Sequence, residues 1–192
     1  MSPTPEKPLE GREILLCVTG GIACYKSADL CSKLVQAGAG VHVAMTESAR
    51  RFVAPLTFQA LTRRMVYTDL WQSTREYRSG HLSLTEQADL MIVAPATANT
   101  LAKLAVGLAD DLVSALALSA HGACPILLAP AMNTRMWDAP PTRANLRTLR
   151  DWGLHVVGPN AGRLACDTVG PGRMAEPGEI LSAAVDLLTQ PS

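Results

Sequence analysis

Short apolar runs, each closed by small or polar residues and then by a helical pattern, constrain this chain most. Residues 14–19 (Ile-Leu-Leu-Cys-Val-Thr) form a continuous apolar run of the type found in strands buried on both faces. Gly20-Gly21 follows, then a helical pattern from about Ile22 to Ala37, stopped by Gly38. Further strands are predicted at 41–45, 90–94, 125–129 and 155–157, with a short candidate at 66–70. Between them, helical patterns occupy 48–61 (interrupted at Pro55), 97–106, 110–120, 141–152 and 178–188. Apolar strands alternating with helices predict a three-layer α/β fold, a doubly wound and mostly parallel sheet of Rossmann-like type. Such sheets bind ligands beyond the carboxyl ends of their strands. The loops that follow the apolar runs are therefore the places to look for chemistry.

Composition narrows the partners. Lys+Arg and Asp+Glu are both 17, so formal net charge is zero, which argues against nucleic acid or an anionic membrane as partner. Hydrophobic residues make up 48% and charged residues 18%, a balance that predicts apolar surface covered by other subunits. The 192 residues suit one domain, expected over 12–192. Residues 1–11 carry three prolines and no apolar stretch, and read as a disordered leader. No run reaches the ~18–20 apolar residues of a membrane span. The five cysteines (17, 24, 31, 124, 166) make no CxxC pair and no Cys/His cluster, so no metal is expected and a cytoplasmic, reducing setting fits.

The strand-end loops carry the candidate site. Thr19-Gly20-Gly21-Ile22-Ala23 is either a tight βα turn or a phosphate cradle, because free N–H groups open the helix after it. Thr46-Glu47-Ser48 puts hydroxyls at the next strand end. No acidic residue evidently placed to hold an adenosine ribose closes that strand, which favours a mononucleotide such as FMN over NAD. Residues 94–100 (Ala-Pro-Ala-Thr-Ala-Asn-Thr) offer small side chains for a flat ring and polar edges, or simply a helix cap at Thr97 or Asn99. Asn133, in the loop 129–137, suits a substrate carboxylate or amide, or is itself a cap. His81 follows a polar loop, and its ordinary pKa of ~6.5 lets it move a proton near neutrality. His42, His121 and His155 read as structural. Cys166 stands in 164–177, a segment too polar and too broken by glycine and proline to be core, where a thiol can meet substrate.

Taken in order, residues 19–23, His81, 94–99, 130–133 with Met136-Trp137, and Leu164-Ala165-Cys166 with 172–177 resemble the homo-oligomeric flavin-containing cysteine decarboxylases. The likeness covers about residues 12–189. It implies FMN as cofactor and, as substrate, a cysteine conjugate with a free carboxylate, decarboxylated on the way to coenzyme A. The alternative it leaves is a peptidyl-cysteine decarboxylase that stops at a C-terminal enethiol. It implies a route in which the cysteine side chain is oxidised to a thioaldehyde, CO₂ leaves, and the enethiol is reduced again. His81, Asn133 and Cys166 would be catalytic, with Asn133, Met136, Ala165 and Cys166 contacting substrate. Gly20, Gly21, Ile22, Thr46 and Ser48 would hold the FMN phosphate, and Phe52, Thr97, Asn99 and Ser114 its ring or ribityl chain. The family builds this site between subunits, so a trimer or a dodecamer of trimers is expected. Because the chain ends at Ser192, a stand-alone decarboxylase served by a separate ligase is also expected. One departure from the family is Asp167 where glycine is usual after the loop cysteine; a carboxylate there would keep the Cys166 thiol protonated.

Overall fold

The computed structural model describes residues 7–70, 80–163 and 169–189. The elements run β1 (Glu13–Val18), α1 (Cys24–Gln36), β2 (Gly40–Met45), α2 (Glu47–Arg50), α3 (Pro55–Thr62), β3 (Val66–Tyr67), α4 (Gly80–Gln87) and β4 (Leu90–Ala96). They continue with α5 (Ala98–Val106), α6 (Leu112–Ala120), β5 (Ile126–Pro130), α7 (Thr134–Asp138), α8 (Pro140–Asp151), β6 (His155–Val156), β7 (Asn160–Arg163), β8 (Val169–Arg173) and α9 (Pro177–Thr189).

Among the described residues, six strands form one parallel sheet in the order β3-β2-β1-β4-β5-β6. This is the doubly wound arrangement expected, and its order reverses between β1 and β4. The continuous apolar runs are explained by the two-residue period of a strand. Ile14, Leu16 and Val18 of β1 and Leu90, Ile92 and Ala94 of β4 point to one face, where they meet Cys24, Leu30, Phe58 and Ile180 from α1, α3 and α9. Leu15 and Cys17, with Met91 and Val93, point to the other, against Leu101, Leu116 and Leu149 from α5, α6 and α8. With both faces covered, neither register position can be polar.

Three expectations are corrected. Part of the presumed leader is built into the fold: Leu9 is fully buried, and its N–H donates to the Ala37 carbonyl at 2.9 Å. No helix is predicted around His81, yet it lies in the first turn of α4, after the polar stretch that precedes it in sequence. The broken segment near residue 166 is flanked by an antiparallel pair, β7 with β8. Alternation of the kind that marks a half-buried strand is absent from Asn-Ala-Gly-Arg and Val-Gly-Pro-Gly-Arg, so the pair gives no period-two signal. No helix among the described residues is long and apolar enough to cross a membrane.

Candidate active site

A cavity of about 1160 Å³ opens at the carboxyl edge of the sheet. It takes its walls from the loops after β1, β2, β4 and β5 and from the β7–β8 pair. The loops after β1 and β4, on either side of the switch in strand order, are joined by buried hydroxyls. Thr19 Oγ1 donates to the Pro95 carbonyl at 2.6 Å and accepts the Thr97 N–H at 3.3 Å. Ser27 Oγ donates to the Ala94 carbonyl at 2.7 Å. Neither role is visible in the sequence, where Thr19 and Ser27 are ordinary small polar residues.

The first loop has the properties of an anion cradle. Helix α1 carries no side-chain cap and no acidic residue in its first turn. Its dipole therefore favours an anion at Gly20-Gly21-Ile22, all of which line the cavity, while the Cys24 and Lys26 N–H groups at the helix start are given to the Gly21 and Ala23 carbonyls at 3.0 and 2.9 Å. The two glycines differ. A Cβ on Gly20 would run into Ser48, whose carbonyl carbon would lie 2.8 Å away, so Gly20 is required by the packing of the first loop on the second. A Cβ on Gly21 would only touch Thr97 Cγ2 at 3.8 Å, so the protein itself does not demand glycine there. A bound group resting on the backbone would.

The remaining predicted contacts divide. Ser48, Thr46, Thr97 and Asn99 line the cavity. Thr46 and Thr97 also cap helices, their hydroxyls accepting the Ala49 and Thr100 N–H groups at 3.2 Å each. Glu47, passed over in the sequence, lines the cavity at the end of β2 while its carboxylate accepts from Arg50 at 2.8 Å. Phe52 is half exposed and Ser114 is buried, and neither lines this cavity. The Ser114 hydroxyl is engaged with Asp111 in the cap of α6, and the residue lines a separate, smaller hollow.

Asn133 caps α7, its Oδ1 accepting the Met136 N–H at 2.8 Å. That bond fixes which end of the amide is oxygen. The Nδ2 end, a two-proton donor, is left for a ligand in the cavity that Asn133 and Met136 both line. Donation to a carboxylate is the chemistry such an amide supplies best. His81 sits in the first turn of α4, but its side chain lies outside the described residues, as do Ala165 and Cys166.

Charged groups on the cavity wall that the sequence reading did not assign are mostly paired. Lys103 Nζ donates to Asp110 and Asp111 at 2.6 Å each. Burial alone would lower its pKa, but the two aspartates raise it overall, so it stays an ammonium. Burial would raise Asp111, but the Lys103 and Ser114 hydrogen bonds hold it below the usual carboxylate range. Lys26 also lines the cavity, from a helix position among buried neighbours. The described cysteines are packing residues: burial pushes the Cys31 thiol up to about 12, and raises Cys17, Cys24 and Cys124 as well. No His/Cys/Asp/Glu cluster fit for a metal occurs among the described residues.

Comparison with known proteins places this geometry. The sequence profile of the Flavoprotein family matches residues 2–189. The chain is 51% identical over 176 residues to the coenzyme A biosynthesis bifunctional protein CoaBC of Bacillus subtilis, covering 92% of this chain and 43% of that one. It thus spans less than half the length of that relative. A PPC decarboxylase mutant complexed with pantothenoylaminoethenethiol superposes with a TM-score of 0.81 at 32% identity, over 90% of this chain and 96% of the other. The FMN-dependent cysteine decarboxylase SpaF gives a TM-score of 0.81 at 29% identity, over 95% and 99% of the two chains.

Proposed function

The chain belongs to the flavoprotein family, and on that premise we propose that it is an FMN-dependent carboxy-lyase converting 4′-phosphopantothenoylcysteine to 4′-phosphopantetheine in coenzyme A biosynthesis. The observation that carries this reading is one cavity lined by both an uncapped α1 turn with room at Gly21 and an amide, Asn133, whose donor end is free for a carboxylate.

The residues present fit FMN. Gly20, Gly21 and Ile22 offer backbone N–H groups, and Ser48 a hydroxyl, for the phosphate. Thr97 and Asn99 stand at the loop after β4 for the ribityl chain and ring edge. FMN, when bound, supplies the electron sink without which loss of CO₂ from a cysteine would leave an unstabilised carbanion. The chain's own work is to bind, orient and move protons. Asn133 Nδ2 holds the substrate carboxylate, with Met136 against its apolar body. His81 takes the role of base near the substrate thiol, and Cys166 that of proton donor in the final reduction. Phe52, half exposed and away from this cavity, belongs at a flavin only if a neighbouring copy supplies it, which fits the proposed trimer-based assembly, whereas Ser114 is buried in the α6 cap and serves the fold. The same reading sets the protein in the cytoplasm, served by a ligase that joins cysteine to the pantothenate moiety.

The test is to incubate flavin-loaded protein with 4′-phosphopantothenoylcysteine and, separately, with cysteine-ending peptides, following CO₂ and product mass. Release of 4′-phosphopantetheine is the expected result. The likeness to SpaF favours a second reading, peptidyl-cysteine decarboxylation. Enethiol from the peptides, with no product from the small conjugate, would replace the first reading by the second. Cys166→Ser should accumulate the unreduced enethiol; normal turnover would remove its assigned role. His81→Asn should keep flavin and lose CO₂ release.

A further inference from the structure

Lys26 is a cation on a helix face that packing reserves for apolar groups. It lies on α1 with Cys24, Ser27, Leu30, Cys31 and Leu34 and is only 9% exposed. Its Nζ donates to Glu176 Oε1 at 2.9 Å and to the Met174 carbonyl at 3.4 Å. Glu176 also receives the Arg173 guanidinium at 3.0 Å, and Met174 and Ala175 between them are buried. The end of β8 is thus fastened to α1.

The same strand is fastened on its other side to the loop of Asn133. The Met132 N–H donates to the Gly172 carbonyl at 2.9 Å, and Thr134 Oγ1 donates to the Pro171 carbonyl at 2.9 Å. Gly172 has φ +138°, and a Cβ there would run into the Met132 carbonyl, so the two segments lie in direct backbone contact. Residues 171–176 form a continuous tie between the helix that opens at the anion cradle and the loop that presents the Asn133 amide.

We propose that Lys26 is a positioning residue: through Glu176 and the Met174 carbonyl it fixes β8, and through β8 the place of Asn133 relative to the first loop. Stability does not explain the residue. Glu176 is nearly half exposed, and such pairs contribute little to folding, while an apolar side chain would suit the surroundings of Lys26 at least as well. What the ammonium supplies is direction: two acceptors on one segment, held in one geometry.

The kinetic arm of the test rests on the decarboxylase reading; the structural arm does not. In flavin-loaded Lys26→Met, the melting temperature and flavin absorbance should match the parent. Its kcat/KM for 4′-phosphopantothenoylcysteine should fall about tenfold or more, mainly through KM, because the residue it places holds substrate. Lys26→Arg should restore most of the loss, and combining Lys26→Met with Glu176→Gln should cost no more than either alone. A kcat/KM within about twofold of the parent, or a loss that merely tracks lost flavin, overturns the proposal. Independently of turnover, hydrogen exchange at the Met132 amide should be faster in Lys26→Met than in the parent. Unchanged protection there overturns the proposal too. A parent that makes no product fails the decarboxylase reading instead, and the Met132 amide alone then decides the role of Lys26.

Discussion

The two ends of the sheet solve opposite problems with similar residues. At the amino end, charges are brought together until they satisfy one another. Glu13 at the start of β1 receives two Arg64 N–H groups, and Arg64 also contacts His42 Nε2 at 2.7 Å. The Glu13 N–H donates to Asp89 at 2.7 Å, and Asp89 accepts from Arg12 at 3.0 Å. Gly40 leaves the space that the Glu13 carboxylate fills. At the carboxyl end, a side chain is held in place by one bond and left with another to give: Asn133 accepts the Met136 N–H through Oδ1, while its Nδ2 bonds to none of the described residues. Saturated polar groups stabilise; half-used ones bind.

The largest effect should come from spoiling the open donor at the carboxyl end while keeping its cap. Asn133→Asp retains an oxygen for the Met136 N–H but turns the free donor into a carboxylate facing the substrate's own. Loss of a charged hydrogen bond plus like-charge repulsion should lower kcat/KM by about a thousandfold. The melting temperature should stay near that of the parent. Asn133→Ala should lose comparable activity and, in addition, about 1 kcal/mol of stability with the cap. Steady-state kinetics beside thermal melts would separate the two roles.

Next come the two glycines, which sharpen the comparison within one loop. Gly20→Ala forces its methyl into Ser48 and should cost about 1–3 kcal/mol, read by denaturant melts, with loss of flavin following from the displaced loop. Gly21→Ala has room in the protein and should melt normally, yet bind flavin more weakly. Equal stability losses in the two variants would show that the room at Gly21 is not reserved for a ligand.

How much of this the sequence carried follows from the kind of signal each part leaves. Strands 14–19 and 90–94 were legible because burial on both faces demands unbroken apolar runs, and helices α1, α5, α6, α8 and α9 because their breakers stood where helices stop; the short α4 and α7 were not predicted. The β7–β8 pair was not, since Val-Gly-Pro-Gly-Arg is held by hydrogen bonds to the Asn133 loop, and Asn-Ala-Gly-Arg by pairing with that strand, and neither by an alternating apolar face. The cavity loops were legible as a set. The reason for Gly20 was not, because its close neighbour, Ser48, is distant in sequence. Lys26 had a faint trace: it sits four residues before Leu30, at the edge of the buried stripe of α1. A lysine there reads as an error in the apolar stripe until its partner, Glu176, is brought beside it.

At the amino end, Arg64→Met should break the Glu13–Arg64 pair. Because Glu13 and Arg64 are each about a third exposed, the loss should be near 1 kcal/mol at most, with flavin binding and turnover unchanged. A drop in flavin affinity would show that the two ends are not independent.

The smallest effect is the most diagnostic of how the amino end is built. Burial first, then the Arg64 charge, lower the His42 pKa below its ordinary 6.5, against the opposing pull of Glu13. Arg64 can only donate, so His42 Nε2 accepts and the neutral ring carries its proton on Nδ1, which is buried with no partner among the described residues; a second proton would have to enter at Nε2, against the Arg64 guanidinium. The unfolded chain therefore takes up this proton before the folded one. The contribution is complete above about pH 6.5 and is lost as pH falls from there through the lowered folded value. Glu13 adds a second loss at lower pH, because the Arg64 hydrogen bond holds its carboxyl below 4.5 and protonation ends that bond. Denaturant melts of the parent should thus show stability declining as pH falls from about 6.5, before the carboxylates titrate. His42→Leu should flatten that segment alone, changing stability at pH 7 by less than about 1 kcal/mol, and leave the acid limb below pH 4.5 in place. A parent whose stability stays level as pH falls from about 6.5, until the carboxylates titrate, would mean that His42 is charged as readily in the fold as out of it. The amino end would then owe its order to the Glu13–Arg64 pair alone.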